Sequence, residues 1–326
     1  MKRRIAIVCI SLIMLCFGAC KTVYMQEYDT DMVSLLKIEN VDSAIYYPSH
    51  FTDDFVYAEI SPSTYKNQQI DPDYDMEIVD IYLNENFVAQ VELYHSSELS
   101  VQWIDEDTVL IMHIYLLDVN TGEIEMTKIE NLIYKDRCFF SVQTADLIGD
   151  MTLLSSCVDA ENGIIYYSLC ADEYTYYIYR YILNDGIYEK VYSEKSGVSE
   201  GAGWLFQFVD NRLFFRTLSG TYCYIDDEVE LITEELVFYI SPKAEYCMKI
   251  DNQVFTIVEM STMQEIYELD ADSFPSLIWL NDDIFVYGDA DRIIFYSLQG
   301  NSEIRKIQVD GAVGSWLSLY NNVLYH

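Results

Sequence analysis

The chain has 326 residues and carries 54 Asp and Glu against 19 Lys and Arg, a formal net charge of −35. That balance opposes the nucleic-acid-binding classes and electrostatic docking on anionic headgroups, because both rely on Lys and Arg patches. Apolar residues make up 51% of the chain, enough for a sizeable buried core, so the acid belongs to a solvated surface that tolerates cationic ligands.

In chain order, Lys2, Arg3 and Arg4 lead into an apolar run from Ile5 to Ala19. This is the n-region and h-region of a secretory leader, and the run is shorter than the roughly 20 residues that a membrane span needs. The run ends at Phe17-Gly18-Ala19-Cys20, which resembles a bacterial lipoprotein processing box, with Phe17 where Leu usually stands. The resemblance implies cleavage before Cys20, a lipid on Cys20 and an extracytoplasmic place in the bacterial cell envelope. Residues 1–19 are then a signal peptide, 20–31 a lipidated cysteine and tether, and 32–326 one folded domain. Loss of the three basic leader residues leaves 16 Lys and Arg against 54 acids, a charge of −38.

The rest of the chain repeats one unit, two apolar strands around a polar turn. Copies read "HFTDDFVYAEI" (50–60), "VQWIDEDTVLIM" (101–112), "DAENGIIYYSL" (159–169), "FQFVDNRLFFR" (206–216), "FYISPKAEYCMKI" (238–250), "IWLNDDIFVY" (278–287) and "LSLYNNVLYH" (317–326). Asp, Asn, Gly and Pro hold the turns because they tolerate turn dihedrals or bond their own backbone, and the flanking Ile, Val, Phe and Tyr read as strands. The mean spacing is about 45 residues, the size of a four-stranded propeller blade, with single intervals from about 32 to about 56. A second hairpin falls between the turns, clearest at 113–129, 176–192 and 292–309 and weaker at 80–93, 221–232 and 253–269.

Four strands per period predict an all-β fold, a β-propeller of about seven four-stranded blades, with six as the alternative count. A lone four-stranded sheet cannot cover both faces, so neighbouring blades must stack. The last copy ends after one hairpin, and residues 30–47 are expected to supply its missing strands and close the ring. Ser241-Pro242, Ile114-Tyr115 with Asp118, and Ile81-Tyr82 match parts of the turn and strand signature of TolB-like and WD-repeat-like propellers, which the chain resembles over nearly its whole mature length. The resemblance implies the architecture and transfers no activity.

Candidate chemistry is sparse. Asp53, Asp54, Asp105, Asp107, Asp282 and Asp283 gather at the repeated turns, where carboxylates at a concave mouth focus a negative potential. They are the candidate ligand-binding residues for a protein, peptide or glycan. Asp71, Asp73 and Asp75 lack the Gly and Glu of a calcium loop, and the four histidines (His50, His95, His113, His326) lack zinc-ligand spacing. No cofactor fingerprint is present. Cys138, Cys157, Cys170, Cys223 and Cys247 form no Cys-x-x-Cys pair, and most read as buried hydrophobes. The tyrosine row "YTYYIYRY" (174–181) reads as core between blades rather than as an exposed stacking surface.

Two functions fit: a membrane-anchored binding or scaffold propeller, or an extracytoplasmic hydrolase or lyase that uses funnel carboxylates and tyrosines. The motif Gly197-Val198-Ser199-Glu200-Gly201 matches a nucleophile elbow, but a strand-like run follows it where the elbow needs a helix. A fluorophosphonate probe is therefore expected to leave the protein unlabelled. Stoichiometric labelling that disappears in Ser199→Ala would establish a covalent serine instead.

Overall fold

The computed structural model describes residues between 32 and 325 apart from 34–35, 40–44, 50, 53, 65–66, 68–75, 95–100, 112–114, 127–131, 136–138, 143–150, 172–174, 196–205, 218, 252, 272–274, 290, 310–316 and 321–322. The described residues form seven sheets. Sheet 1 pairs Ile45–Pro48, Phe55–Ile60, Met76–Leu83 and Asn86–Tyr94. Sheet 2 pairs Val101–Trp103, Thr108–Ile111, Tyr115–Asp118 and Ile124–Met126. Sheet 3 holds Met151–Asp159, Ile164–Ala171, Thr175–Ile182 and Ile187–Lys195, extended by a hairpin of Leu132–Lys135 and Phe139–Val142.

Sheet 4 pairs Phe206–Val209, Arg212–Arg216, Thr221–Ile225 and Glu228–Thr233. Sheet 5 pairs Val237–Phe238, Tyr246–Asp251, Val254–Glu259 and Glu265–Glu268. Sheet 6 pairs Ser276–Trp279, Ile284–Asp289, Arg292–Ser297 and Ser302–Gln308. Sheet 7 joins Ser318–Tyr320 and Val323–Tyr325 to Lys37–Glu39. Each of sheets 1, 2, 4, 5 and 6 runs its four strands in chain order, every neighbour antiparallel, which is the blade of a β-propeller. Six of the seven first hairpins and all six second hairpins expected from sequence fall on paired strands; in the copy at 50–60 only Phe55–Ile60 is a strand, and its partner Ile45–Pro48 lies just before the expected span.

Two sheets depart from the four-strand expectation. The extra hairpin at 132–142 gives sheet 3 six strands and accounts for the longest interval between turns, since it inserts a pair of strands ahead of the repeat. Sheet 7 has three strands: the segment 30–47 contributes only Lys37–Glu39, parallel to Val323–Tyr325, and its second apolar run, Ile45–Pro48, opens sheet 1. The two ends of the chain do share one sheet, as expected. The parallel pairing arises because Lys37–Glu39 enters from the same side as the hairpin turn that precedes Val323.

By contacts the chain divides into two compact units, one of Met1–Glu39, Glu173–Tyr176 and Val191–His326, the other of Asn40–Asp172 and Tyr177–Lys190. Within each unit the apolar faces of successive sheets press together. In the second unit Val56, Ile81, Val91, Trp103, Val109 and Ile111 form one core, and Ile104, Leu110, Ile165, Tyr167 and Tyr181 form another. In the first, Met248, Ile257, Trp279, Phe285 and Tyr287 pack together. Two residues of the tyrosine row, Tyr176 and Tyr181, are buried, and Tyr181 stacks on Tyr188 at 4.4 Å.

Polar stitches between first strands accompany the apolar packing. The Trp103 indole donates to the Tyr47 carbonyl of sheet 1 at 2.9 Å, and the Trp279 indole donates to the Tyr239 carbonyl beside sheet 5 at 2.5 Å. Gln207 in sheet 4 donates to the Ile240 carbonyl and accepts its N–H, each at 3.2 Å. Among the described residues Cys157, Cys223 and Cys247 are buried and form no disulfide. Burial pushes the Cys223 thiol up to about 11 and the Cys247 thiol to about 12, so both stay protonated and inert at neutral pH.

Sheet 7 holds Leu317 and Leu324 against Leu280, Ile284 and Val286 of sheet 6. Deleting residues 317–326 removes two of its three strands and both leucines. The expected loss is about 5 kcal/mol or more, seen as a lower urea midpoint in one cooperative transition. A truncated protein that unfolds like the full-length chain would show that this sheet adds nothing to stability.

Candidate functional site

Each four-stranded sheet has two kinds of edge. One edge carries the turns between strands one and two and between strands three and four, and is called here the turn edge. The other carries the connections between strands two and three and between sheets, the loop edge. Asp and Asn recur at the turn edge partly because the backbone of several turns demands them there. Asp210-Asn211 and Asp226-Asp227 are two-residue hairpin turns with positive φ at both positions (49° and 57°, 51° and 63°), as is Asn84-Glu85 (47° and 72°). Asn and Asp enter that left-handed region at the lowest cost after Gly, which explains why the repeat is written with them.

The acids then tie one turn to the other. In sheet 1, Asp54 accepts from the Thr52 hydroxyl at 2.8 Å and from the Asn84 amide of the second turn. In sheet 2, Asp105 accepts the N–H groups of Asp107 and Thr108 at 2.9 and 2.7 Å, and Asp107 accepts the Asn120 amide at 2.6 Å. Asp118 caps that second turn by accepting the N–H of Thr121 and of Asn120, and the Thr121 N–H is the main cause of its lowered pKa. In sheet 6, Asp283 accepts the Ser297 hydroxyl at 3.0 Å and the Gln299 N–H at 2.5 Å.

Asp282 reaches across to sheet 5. It accepts the buried Ser241 hydroxyl at 2.9 Å and the Lys243 N–H at 2.8 Å, with the Lys243 ammonium 3.8 Å away. Five of the six sequence-derived site residues are therefore described, each with a carboxylate oxygen engaged inside its own or the adjacent sheet. Asp105 and Asp107 stay exposed, and Asp54, Asp282 and Asp283 are half-buried. Asp53, Cys20, Ser199, the Asp71/Asp73/Asp75 loop and all four histidines lie outside the described residues. Among the described residues no three His, Cys, Asp or Glu gather as a metal site.

One polar cluster escapes a sequence reading. At the loop edge beside sheet 4, Glu194 accepts the Ser219 hydroxyl at 2.6 Å and the Tyr192 phenol at 3.1 Å, and Ser219 also meets the Tyr222 hydroxyl at 2.8 Å and that of Thr217 at 2.9 Å. The Tyr192 and Tyr222 rings pack on Phe215 with centroids 5.1 and 5.6 Å away, so no slot opens between them. Burial, and next the Glu194 charge, raise the Tyr192 pKa, so this phenol holds its proton instead of serving as a base. These residues come from two stretches, 192–194 and 215–222, and no sequence motif links the two.

No family model and no curated protein matches the chain. Among solved structures it is similar to the dihydro-heme d1 dehydrogenase NirN, at 11% identity over 92% of this chain and 64% of that one, with a TM-score of 0.52. It is also similar to BamB from Moraxella catarrhalis (13% identity, 92% of this chain and 94% of that one, TM-score 0.42) and TolB from Acinetobacter baumannii (12%, 82% and 79%, TM-score 0.45). The chain spans less than two thirds of NirN's length, and at such identities the likeness concerns the propeller fold alone.

The turn geometry predicts different outcomes for two changes at one position. Asp283→Ala frees the Ser297 hydroxyl and Gln299 N–H and is expected to cost about 1–2 kcal/mol. Asp283→Asn keeps an acceptor oxygen and is expected to cost less than about half of that. Urea titrations that rank the two variants equally would show that the carboxylate does not hold the turn.

Proposed function

We propose that the chain is a lipid-anchored, extracytoplasmic propeller of the bacterial cell envelope that binds a protein, peptide or glycan partner, uncharged or cationic in preference to anionic. The reading of the anchor rests on the basic and apolar leader ending at Cys20. Several acyl chains on one cysteine give stable anchoring where a single chain binds only marginally. The reading of the partner rests on one observation: acids recur at the turn edge of sheet after sheet, as Asp54, Asp105 and Asp107 in one unit and Asp210, Asp226, Asp227, Asp282 and Asp283 in the other. Each oxygen that holds a turn still carries its charge. The field at the turn edge of each unit, taken by itself, therefore attracts cations and repels polyanions even with the local hydrogen bonds made.

The alternative, a hydrolase or lyase working through carboxylates and tyrosines, gains no support from the Glu194–Ser219–Tyr222 cluster, where burial and the Glu194 charge raise the Tyr192 pKa away from that of a base.

Two measurements test the proposal. Labelling with palmitate in a bacterial host is expected to mark the wild type and to vanish, with membrane retention, in Cys20→Ser. Binding of cationic peptides, neutral glycans and polyanions is then compared at two salt concentrations in the wild type and in Asp282→Asn/Asp283→Asn. This change removes two charges and keeps the acceptors. The cationic peptide is expected to bind the wild type several-fold better at low salt and to lose part of that advantage in the variant. Tight binding of a polyanion would defeat the reading.

A further inference from the structure

The N-terminal segment enters the first unit at a defined edge. Lys37 pairs with Val323, the residue just past the turn of sheet 7, and the two strands run parallel away from that turn. Residues before 37 therefore lie at the turn edge. Val33 and Leu36 are buried there at 0% and 2% exposure, against Leu280 at the first turn of sheet 6, Ile284 just beyond it, and Leu324.

One cation locks the segment in place. Arg305 donates to the Leu36 carbonyl at 2.7 Å and to the Val33 carbonyl at 3.2 Å, while its guanidinium lies 5.9 Å from the Phe295 ring centre. Arg305 follows a β-bulge: Phe295 opposes Arg305 and Tyr296 opposes Glu303, which leaves Ile304 as the extra residue. Bulges re-aim neighbouring side chains, and here the side chain is turned onto the entering strand.

We infer that the turn edge of this unit faces the lipid bilayer and that its loop edge, with the Glu194–Ser219–Tyr222 cluster, is presented away from the membrane. The inference rests on the lipid-anchor reading. From Cys20 to Met32 the chain reaches at most ~40 Å, which keeps the turn edge close to the bilayer. The loop edge of sheet 6 stands a strand length farther out, about 20 Å for six residues. The acids at the turn edge do not draw it onto anionic headgroups, so the entering segment sets the direction, electrostatics maintains a stand-off, and a partner held by these acids binds in the gap between the turn edge and the bilayer.

The test uses the full lipidated chain in phosphatidylcholine–phosphatidylglycerol vesicles that carry an acceptor dye, in a background with Cys138 and Cys170 changed to Ser. A donor dye is placed through Gln299→Cys at the turn edge of sheet 6 or through Asp291→Cys at its loop edge, both exposed. Energy transfer to the membrane is expected to be about twofold higher from position 299. Equal transfer, or more from position 291, overturns the orientation. In Arg305→Gln the contrast is expected to shrink while membrane retention is unchanged, and a persisting contrast overturns the role given to Arg305. Failure of the anchor is read separately, without dyes: membrane retention that survives Cys20→Ser removes the premise, and the orientation falls with it.

Discussion

The fold depends on hydrogen bonds made between first strands. A first strand that is apolar on both faces has neighbours on both sides, and any carbonyl it leaves unpaired at that depth costs about 1–3 kcal/mol. Side chains alternate along a strand, so adjacent residues reach opposite neighbours. In sheet 2, Trp103 reaches back to the Tyr47 carbonyl while Gln102 reaches forward to Ser156, 3.2 Å from both its carbonyl and its hydroxyl. The pair Tyr239–Ile240 receives both kinds of stitch, Trp279 from one side and Gln207 from the other. The Gln102 amide nitrogen is directed at the Ser156 carbonyl and hydroxyl, and the amide oxygen is left buried without a hydrogen-bond partner. Gln207 has no such deficit, because the Ile240 N–H is free to meet it.

The outer strands solve a different problem. A fourth strand exposes a row of backbone groups that invites another chain to pair. Sheets 1, 4, 5 and 6 each carry a one-residue bulge between their third and fourth strands, leaving Val88, Ile232, Ile266 and Ile304 as the extra residues. Acids dot the same strands, as in "EVELIT" and "EIYE". Both features discourage strand addition, which shifts recognition toward the turn and loop edges. At sheet 6 the bulge also directs Arg305 onto the entering N-terminal segment, so one local irregularity serves edge protection and strand docking together.

The acids at the turn edge likewise have two consequences at different ranges. Within about 3 Å they satisfy N–H and hydroxyl donors and fix hairpin register. Over the longer range of a screened potential, roughly 8 Å at physiological ionic strength, they make the edge negative. The near effect explains why the residues are Asp and Asn rather than Glu, since only the short side chain bonds its own turn. The far effect needs only charge, and it supports the preference proposed for partners.

The repeat was legible in the sequence because it rests on local rules. Positive φ at Asp210-Asn211 and Asp226-Asp227 selects those residue types, and β-branched and aromatic runs mark the strands on either side. The candidate acids were legible as turn residues for a different local reason, because a short carboxylate accepts donors of its own or the facing turn. What each acid touches was not: Asp282 serves Ser241 and Lys243 of the preceding sheet, some forty positions away. The parallel strand Lys37–Glu39, the hairpin added to sheet 3, the Glu194–Ser219 cluster and the reach of Arg305 to Val33 and Leu36 were also decided only by the fold. Local dihedral demands and side-chain alternation are written residue by residue, whereas contacts between distant segments depend on which sheets stack and in what register. Those are properties of the packed chain as a whole.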